Sequence, residues 1–243
     1  MSNKKELRQQ RNGTVINLTS KGQEKMVLKA LDVVVKRLQK RFKNIQLVHE
    51  PLWLLKDIIN RLKVQYPDVD FKCYHEKSSM KPDGGILSIV SKSGYQYPIL
   101  IIEKKNQGTN DLRASEGKKR QAQGNAIERL GKNVIGFRVA MMQEAIFPFV
   151  CFGDGCDFCN GSSILDRVVT IAMFGQLNKE YLHNIGPSGV FNRGTFYFRD
   201  RVWKKPEIEE IAYSIAEKSV YYYFSKYSDK EFGSSPMSVG DFR

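Results

Sequence analysis

Hydrophobic residues recur every three or four positions near both ends of the chain, a pattern typical of amphipathic helices. The first helix is predicted from Ser20, a residue suited to capping it, to about Lys43. Its apolar stripe consists of Val27, Leu31, Val34, Val35, Leu38 and Phe42. The last helix is predicted to begin near Pro206. Its apolar face consists of Ile208, Ile211, Ala212, Ile215 and Ala216.

A second helix and a short strand are predicted to follow the first helix. Pro51 suits the first turn of the helix, which must end before Pro67. The apolar positions of this helix are Leu52, Leu55, Ile59 and Leu62. The segment VDFKCYH, residues 69–75, alternates apolar and polar positions as a strand does.

The middle of the chain contains nearly continuous apolar runs, which indicate buried strands. ILSIV (86–90) and YPILIIE (97–103) are joined by the turn residues KSG and predict a hairpin. FPFVCF (147–152) predicts another central strand. Residues 115–130 are first polar and basic and then have the pattern of a helix. Residues 168–173 predict a further secondary-structure element.

These elements together predict an α/β fold with a mixed central sheet. Strands that are apolar at nearly every position are buried on both faces, so helices must cover both sides of the sheet. Helices and strands intermix along the chain, and no boundary divides it into two domains. We expect a flexible basic arm (1–18), one domain (19–230) and a flexible tail (231–243).

The charge of the chain points to a polyanionic partner. The formal net charge is +13, from 39 Lys and Arg against 26 Asp and Glu. Such an excess favours nucleic acid, through neutralisation of phosphates and release of counterions, although a generally basic protein without this partner is the plainer alternative. The sequence contains neither a run long enough to span a bilayer nor a hydrophobic signal region, so we expect no membrane and a cytoplasmic location.

The four cysteines are better explained as reduced thiols than as a metal site. Cys151, Cys156 and Cys159 are close in sequence, but a fourth zinc ligand at a suitable spacing is missing.

The predicted hairpin carries acidic residues where its strands meet one edge of the sheet. Asp83 precedes the first strand, Glu103 ends the second, and Lys105 lies on the same side as Glu103 because side chains alternate with period two. Two carboxylates suit a hydrated Mg²⁺, and a lysine beside them could hold or activate an attacking water. These are the groups that phosphodiester hydrolysis needs. The spacing alone is weak, since Pro-Asp-Gly-Gly is also an ordinary turn and the charges could be a solvated rim.

Three segments resemble the EcoRI-type branch of the type II restriction endonucleases. They are SSMKPDGGI (78–86), EKKNQG (103–108) and QGNAIERLGKN (123–133). The resemblance covers residues 78–152 well and 162–175 loosely. It implies a PD-(D/E)xK nuclease core, also called restriction-endonuclease-like, and a homodimer that cuts double-stranded DNA at a palindrome with Mg²⁺. The expected products have 5′ overhangs that carry 5′-phosphates.

The resemblance assigns a role to residues of each motif. Asp83 and Glu103 match the metal-binding acids, and Lys105 matches the catalytic lysine. Asn125 and Arg129 match the residues that read the inner adenines of an AATT sequence, which agrees with the hydrogen bonds that these side chains can make to purines.

Further positions fall where the family contacts DNA. These residues are Lys81, Gln107, Ala122, Ala126, Glu128, Asn133 and Arg167. Gln107 and Ala122 match positions that touch pyrimidines, and Glu128 matches one that orients arginines across the dimer. Lys81 and Asn133 match contacts to backbone phosphates, which position the protein rather than specify the sequence.

Two departures from the family pattern limit what the resemblance implies. Lys104 stands between the active-site acid and lysine, where the family has a small residue, and it should point to the opposite face. SSILDR resembles the stretch that contacts the outer base pair, but Thr170 stands near where a second arginine is expected after Arg167. The site is therefore expected to be GAATTC-like or RAATTY-like, with the flanking pair open.

Two other functions remain as alternatives from the sequence. The same nuclease core could serve a structure-directed repair or junction nuclease. A basic DNA-binding protein without catalysis would explain the charge but not the three motifs in this order.

Overall fold

A five-stranded mixed sheet lies between layers of helices in the described part of the chain. The computed structural model describes residues 15–106, 117–119, 124–155, 158, 161–171, 177–183 and 193–236. The helices are α1 (Val15–Arg41), α2 (Leu55–Gln65), α3 (Gly124–Ala140), α4 (Ser163–Ile171), α5 (Lys205–Tyr227) and α6 (Asp229–Phe232). The strands are β1 (Phe42–Lys43), β2 (Leu47–Glu50), β3 (Trp53–Leu54), β4 (Ser79–Met80), β5 (Gly85–Val90), β6 (Gln96–Asn106), β7 (Phe149–Asp154), β8 (Thr195–Arg199) and β9 (Ser235–Pro236).

The order of strands in the main sheet is β2-β5-β6-β7-β8. β2, β5 and β6 are antiparallel, and β6, β7 and β8 are parallel. The predicted hairpin is confirmed as β5 and β6, and the predicted strand at 147–152 is confirmed as β7, inside the sheet. The α/β fold class with a mixed sheet is therefore confirmed.

Alternation along the central strands divides the hydrophobic core between two faces. Leu100, Ile102 and Phe152 pack in one cluster with α1 and α5. Ile101 and Phe149 pack in a second cluster with side chains of α2, α3 and α4. Each fully buried apolar side chain of this size stabilises the fold by roughly 1.5–3 kcal/mol. The burial on both faces explains why the central strands are apolar at almost every position.

Several predicted boundaries are wrong. α1 begins at Val15, so Ser20 lies inside the helix and does not cap it. Pro51 precedes β3, and α2 begins only at Leu55. Residues 69–75 form no strand, because no strand in the described part of the chain pairs with this segment and its Tyr74 is 82% exposed. Alternation over a few residues does not make a strand without a partner.

The chain continues in regular structure past Lys230. α6 is followed by β9, which pairs antiparallel with β1. Residues 1–14 of the predicted arm and residues 237–243 of the predicted tail lie outside the described residues. No helix among the described residues is both long and apolar enough to cross a membrane.

Candidate active site

Asp83, Glu103 and Lys105 lie together at the edge of the main sheet. Asp83 occupies the turn before β5, and the other two lie near the end of β6. The ammonium of Lys105 is 3.3 Å from Asp83 Oδ2 and also donates to Glu103 Oε1. The backbone N–H of Lys104 donates to Asp83 Oδ2 over 3.0 Å. The expectation that the three groups converge is confirmed, while their catalytic roles remain a prediction.

Two glycines allow the turn of Asp83 to approach its neighbours. Gly85 has φ +75°, and a Cβ there would lie 2.2 Å from His49 Nε2. A Cβ on Gly84 would lie 2.7 Å from the Cβ of Ile102. Gly84 donates its N–H to the carbonyl of Ile102 over 2.9 Å, which fastens the turn to β6. Pro-Asp-Gly-Gly is therefore both a turn and the element that places Asp83.

Glu103 is a buried carboxylate with one oxygen left free of hydrogen bonds. Only 1% of the residue is exposed. Its Oε1 accepts from Asn133 Nδ2 of α3 over 3.2 Å, besides Lys105. Its Oε2 is buried and has no hydrogen-bond partner among the described residues. Burial raises the pKa of this carboxyl, although Lys105 opposes the shift. The charge of Lys105 does not fully offset this burial, so a further positive charge at the free oxygen would stabilise the ionised form.

The ammonium form of Lys105 is favoured by its neighbours. Burial lowers the pKa of Lys105, but Glu103 and Asp83 more than offset this effect, so the pKa is raised. Lys105 is therefore a hydrogen-bond donor and a positive charge at neutral pH. Cys151 lies opposite Glu103 on β7 and is fully buried, and this burial raises the pKa of its thiol. The thiol stays protonated.

The acidic residues fit a hydrated divalent cation. Asp83 and Glu103 offer hard oxygen atoms, and the buried Oε2 of Glu103 is an acceptor that a cation would satisfy. No cluster of three or more His, Cys, Asp or Glu residues that could hold a metal occurs in the described part of the chain. A magnesium ion keeps several waters and often binds through one or two carboxylates, so this pair meets its usual requirement.

Four of the predicted DNA contacts are exposed in the described part of the chain. Glu128 and Arg129 are exposed on α3, Arg167 is exposed on α4, and Lys81 is exposed two residues before Asp83. Gln107 and Ala122 lie outside the described residues, as do Cys156 and Cys159. Asn125 and Ala126 belong to the first turn of α3, but their side chains lie outside the described part.

Two features of the centre were not predicted from the sequence. Asn133 was assigned to a DNA phosphate, but here it hydrogen-bonds Glu103. Lys104 does point to the opposite face, as expected, and there it forms a buried ion pair with Asp154, 2.7 Å between Nζ and Oδ2. The only indication of this role in the sequence is that Asp154 is an acidic residue at the end of a central strand.

Comparison with known proteins agrees with this geometry. The family model described as "Restriction endonuclease EcoRI" matches residues 10–164. The type II restriction enzyme RsrI of Cereibacter sphaeroides is 27% identical over 221 residues, 77% of this chain and 79% of that protein. The type II restriction enzyme EcoRI of Escherichia coli is 32% identical over 119 residues, 46% of this chain and 43% of that protein. The chain belongs to the EcoRI family of restriction endonucleases, which are site-specific deoxyribonucleases.

Proposed function

We propose that this protein is a Mg²⁺-dependent type II restriction endonuclease that cuts a palindromic site with an AATT core. The site is GAATTC-like or RAATTY-like, and the products carry 5′-phosphates on 5′ overhangs. Enzymes of this class act on double-stranded DNA and generally need a divalent metal. The observation that carries the proposal is the convergence of Asp83, Glu103 and Lys105 beside α3.

The residues of the centre have separate tasks in this proposal. Asp83 and Glu103 would hold the ion, which when bound supplies positive charge at the phosphate that is cut. Lys105 donates hydrogen bonds, so it orients the attacking water and stabilises negative charge that develops on the phosphate. Asn133 keeps Glu103 in place through Oε1. The buried position of Glu103 excludes bulk water from one side of the centre.

The recognition residues are proposed from the family match. Asn125 and Arg129 read the inner adenines, and Arg167 contacts the outer pair. Glu128 orients arginines at the dimer interface. The other proposed contacts are Lys81, Gln107, Ala122, Ala126 and Asn133. The exposure of Lys81, Glu128, Arg129 and Arg167 supports these roles, since each side chain is accessible.

The protein is proposed to act as a homodimer. A palindromic duplex has two-fold symmetry, and two identical subunits match it with one recognition surface each. Each subunit is proposed to be a single nuclease and recognition domain, which reaches from the start of α1 at Val15 to the end of β9 at Pro236 and is thus longer than the expected 19–230.

Digestion of plasmid DNA tests the proposal. Purified protein is incubated with a plasmid of known sequence and Mg²⁺, and the ends of the fragments are sequenced. We expect discrete fragments whose ends share an AATT core and carry 5′-phosphates. Smeared products, or cutting confined to branched DNA, would indicate a structure-directed nuclease. Salt-sensitive binding of duplex DNA without cutting under any divalent ion would indicate a binding protein.

A further inference from the structure

A second buried polar cluster lies on the other face of β6. Asp154, which is fully buried, accepts hydrogen bonds from four directions. Its partners are Lys104 Nζ at 2.7 Å, Trp203 N at 3.1 Å, Asn106 Nδ2 at 3.2 Å and Gln23 Nε2 at 3.3 Å. Asn106 also donates to Gln23 Oε1 over 3.1 Å. The cluster therefore joins α1, β6, β7 and the segment that leads into α5.

Alternation along β6 separates this cluster from the active centre. Glu103 and Lys105 point to the face covered by α3, where Asn133 meets Glu103. Lys104 and Asn106 point to the face covered by α1, where Gln23 lies. The cluster and the active centre therefore lie on opposite faces of β6, and Lys104 Nζ also donates to the backbone carbonyl of Lys105 over 3.3 Å.

Lys104 is the residue that links the two faces. Its side chain is fixed by Asp154, while its backbone N–H donates to Asp83 Oδ2 over 3.0 Å. A shift of this residue would move the donor away from Asp83. It would also turn Glu103 and Lys105, because they are its direct neighbours in the strand.

The ion pair is a poor source of stability. Lys104 is 6% exposed, so both charges have lost their hydration. Desolvation of a buried pair often equals or exceeds its attraction, and apolar residues of similar volume are frequently as good. Burial also lowers the pKa of Lys104, which Asp154 opposes. The pair instead fixes the position of the Lys104 side chain on Asp154, because a buried charge is held tightly by its partner.

We propose that Lys104 and Asp154 are positioning residues for the metal-binding centre. They hold the end of β6 so that the N–H of Lys104 fixes Asp83 and so that Asp83 and Glu103 would stay in place to hold a cation. This inference rests on the proposed function. Residues that orient metal ligands typically change metal affinity or activity by about 10–100-fold when they are replaced.

Metal binding measured apart from cleavage tests the inference. The variants are Lys104→Met, which removes the charge at similar length, and Asp154→Asn, which keeps the shape but only one of the two acceptor oxygens, so that two of the four donors lose their acceptor. The control is Ile215→Val, which loosens the same side of the core without touching the cluster. Mn²⁺ is titrated into protein and duplex DNA while the signal of the free ion is followed by electron paramagnetic resonance. Single-turnover cleavage is measured over the same range of metal concentrations.

The inference predicts a metal defect without a DNA-binding defect. Lys104→Met and Asp154→Asn should raise the Mn²⁺ concentration at half-saturation by about 10–100-fold. The half-saturating metal concentration for cleavage should rise in parallel. DNA affinity without metal, and all properties of Ile215→Val, should stay close to those of the unmodified protein.

Each other result counts against one specific statement. If the unmodified protein neither binds Mn²⁺ nor cuts DNA, the proposed function fails. If it does both and a folded Lys104→Met variant has unchanged metal affinity, the positioning role is overturned. Should Lys104→Met fail to fold, as seen by circular dichroism, Asp154→Asn decides by the same criterion. If neither variant folds, the pair is structural and the inference is wrong.

Discussion

Lys105 is the residue on which the chemistry of the proposed centre depends most directly. It is the donor shared by Asp83 and Glu103. Replacing it with Ala should lower the cleavage rate by at least about 10²-fold, because the positioned donor is lost at the transition state. Single-turnover cleavage of a plasmid measures the effect.

The matched control for this change is Lys218→Ala, which removes an exposed lysine that pairs with Glu180 on the surface. It should cut at the normal rate. Binding of duplex DNA by Lys105→Ala should also stay nearly normal. A Lys105→Ala variant that cuts as fast as the unmodified protein would remove Lys105 from the mechanism.

Asn125 is one of the two residues proposed to read the inner adenines. A side-chain amide can accept and donate at adenine N6 and N7 together, and such a contact contributes about 1–3 kcal/mol of discrimination. Asn125→Ala should therefore weaken the preference for AATT over sites changed at one adenine. Competition binding with matched duplexes measures this ratio, and Asn60→Ala, an exposed change on α2, is the control. An unaltered ratio in Asn125→Ala would exclude the role.

At the scale of elements, Glu207 joins the start of α5 to the end of β8. Its carboxylate accepts from Arg199 Nη1 over 2.8 Å and from the N–H of Lys204 over 2.9 Å. The side-chain hydrogen bond from Arg199 is the largest cause that lowers the pKa of Glu207, from 4.5 to about 2, and the hydrogen bond from Lys204 adds to it. The carboxylate is thus kept ionised in the folded protein at pH values where it would be protonated in the unfolded chain.

A lowered pKa of this kind gives the stability of the junction a definite pH dependence. The contribution of Glu207 is present above pH 4.5 and is lost as the pH falls towards about 2. Glu207→Gln should therefore lower Tm at neutral pH, and the difference from the unmodified protein should shrink in acid. Thermal melts at neutral pH and at about pH 3 measure it. Glu76→Gln, on a largely exposed side chain, should show no such trend, and a constant difference for Glu207→Gln would contradict the assignment.

The elements also show what a sequence can predict. The buried strands β5, β6 and β7 and the helix α5 were found because their burial imposes a strong pattern. β2 (LVHE) and β8 (TFYFR) were missed, since a short strand at the edge of a sheet has little periodicity of its own. The start of α1 was predicted too late because Ser20 is itself a suitable capping residue and the apolar stripe was traced only from Val27. The convergence of Asp83 and Glu103 was predictable because a hairpin brings both its ends to one edge.

Contacts between residues far apart in the chain could not be predicted from the sequence, for a physical reason. The pairs Asn133 with Glu103 and Gln23 with Asp154 depend on how helices cross the sheet, and residues 30 and 131 positions apart leave no local trace in the sequence. Lys104 was recognised as unusual only through the resemblance to the EcoRI-type enzymes, which implies a small residue at this position. Its ion-pair partner, Asp154, was identified only from the structure.

At the scale of the whole molecule, the proposed activity requires two copies. The mass of one chain is 27.9 kDa. Light scattering after size exclusion should give about twice this mass, because a palindrome is cut in both strands by a two-fold symmetric pair. A protein that remains monomeric at concentrations where it cuts both strands of the plasmid would contradict the homodimer. Salt should not change the mass, whereas it should weaken DNA binding steeply.

The contact between Asn133 and Glu103 has a consequence for fidelity. Asn125 and Asn133 are eight positions apart on α3, a separation of about 12 Å along one stiff helix. If a wrong base pair pushes the start of α3 aside, the amide that restrains the carboxylate is displaced with it. Hydrolysis would then be slow at incorrect sequences to which the protein still binds. Incorrect sequences would be discriminated against once at binding and again at cleavage.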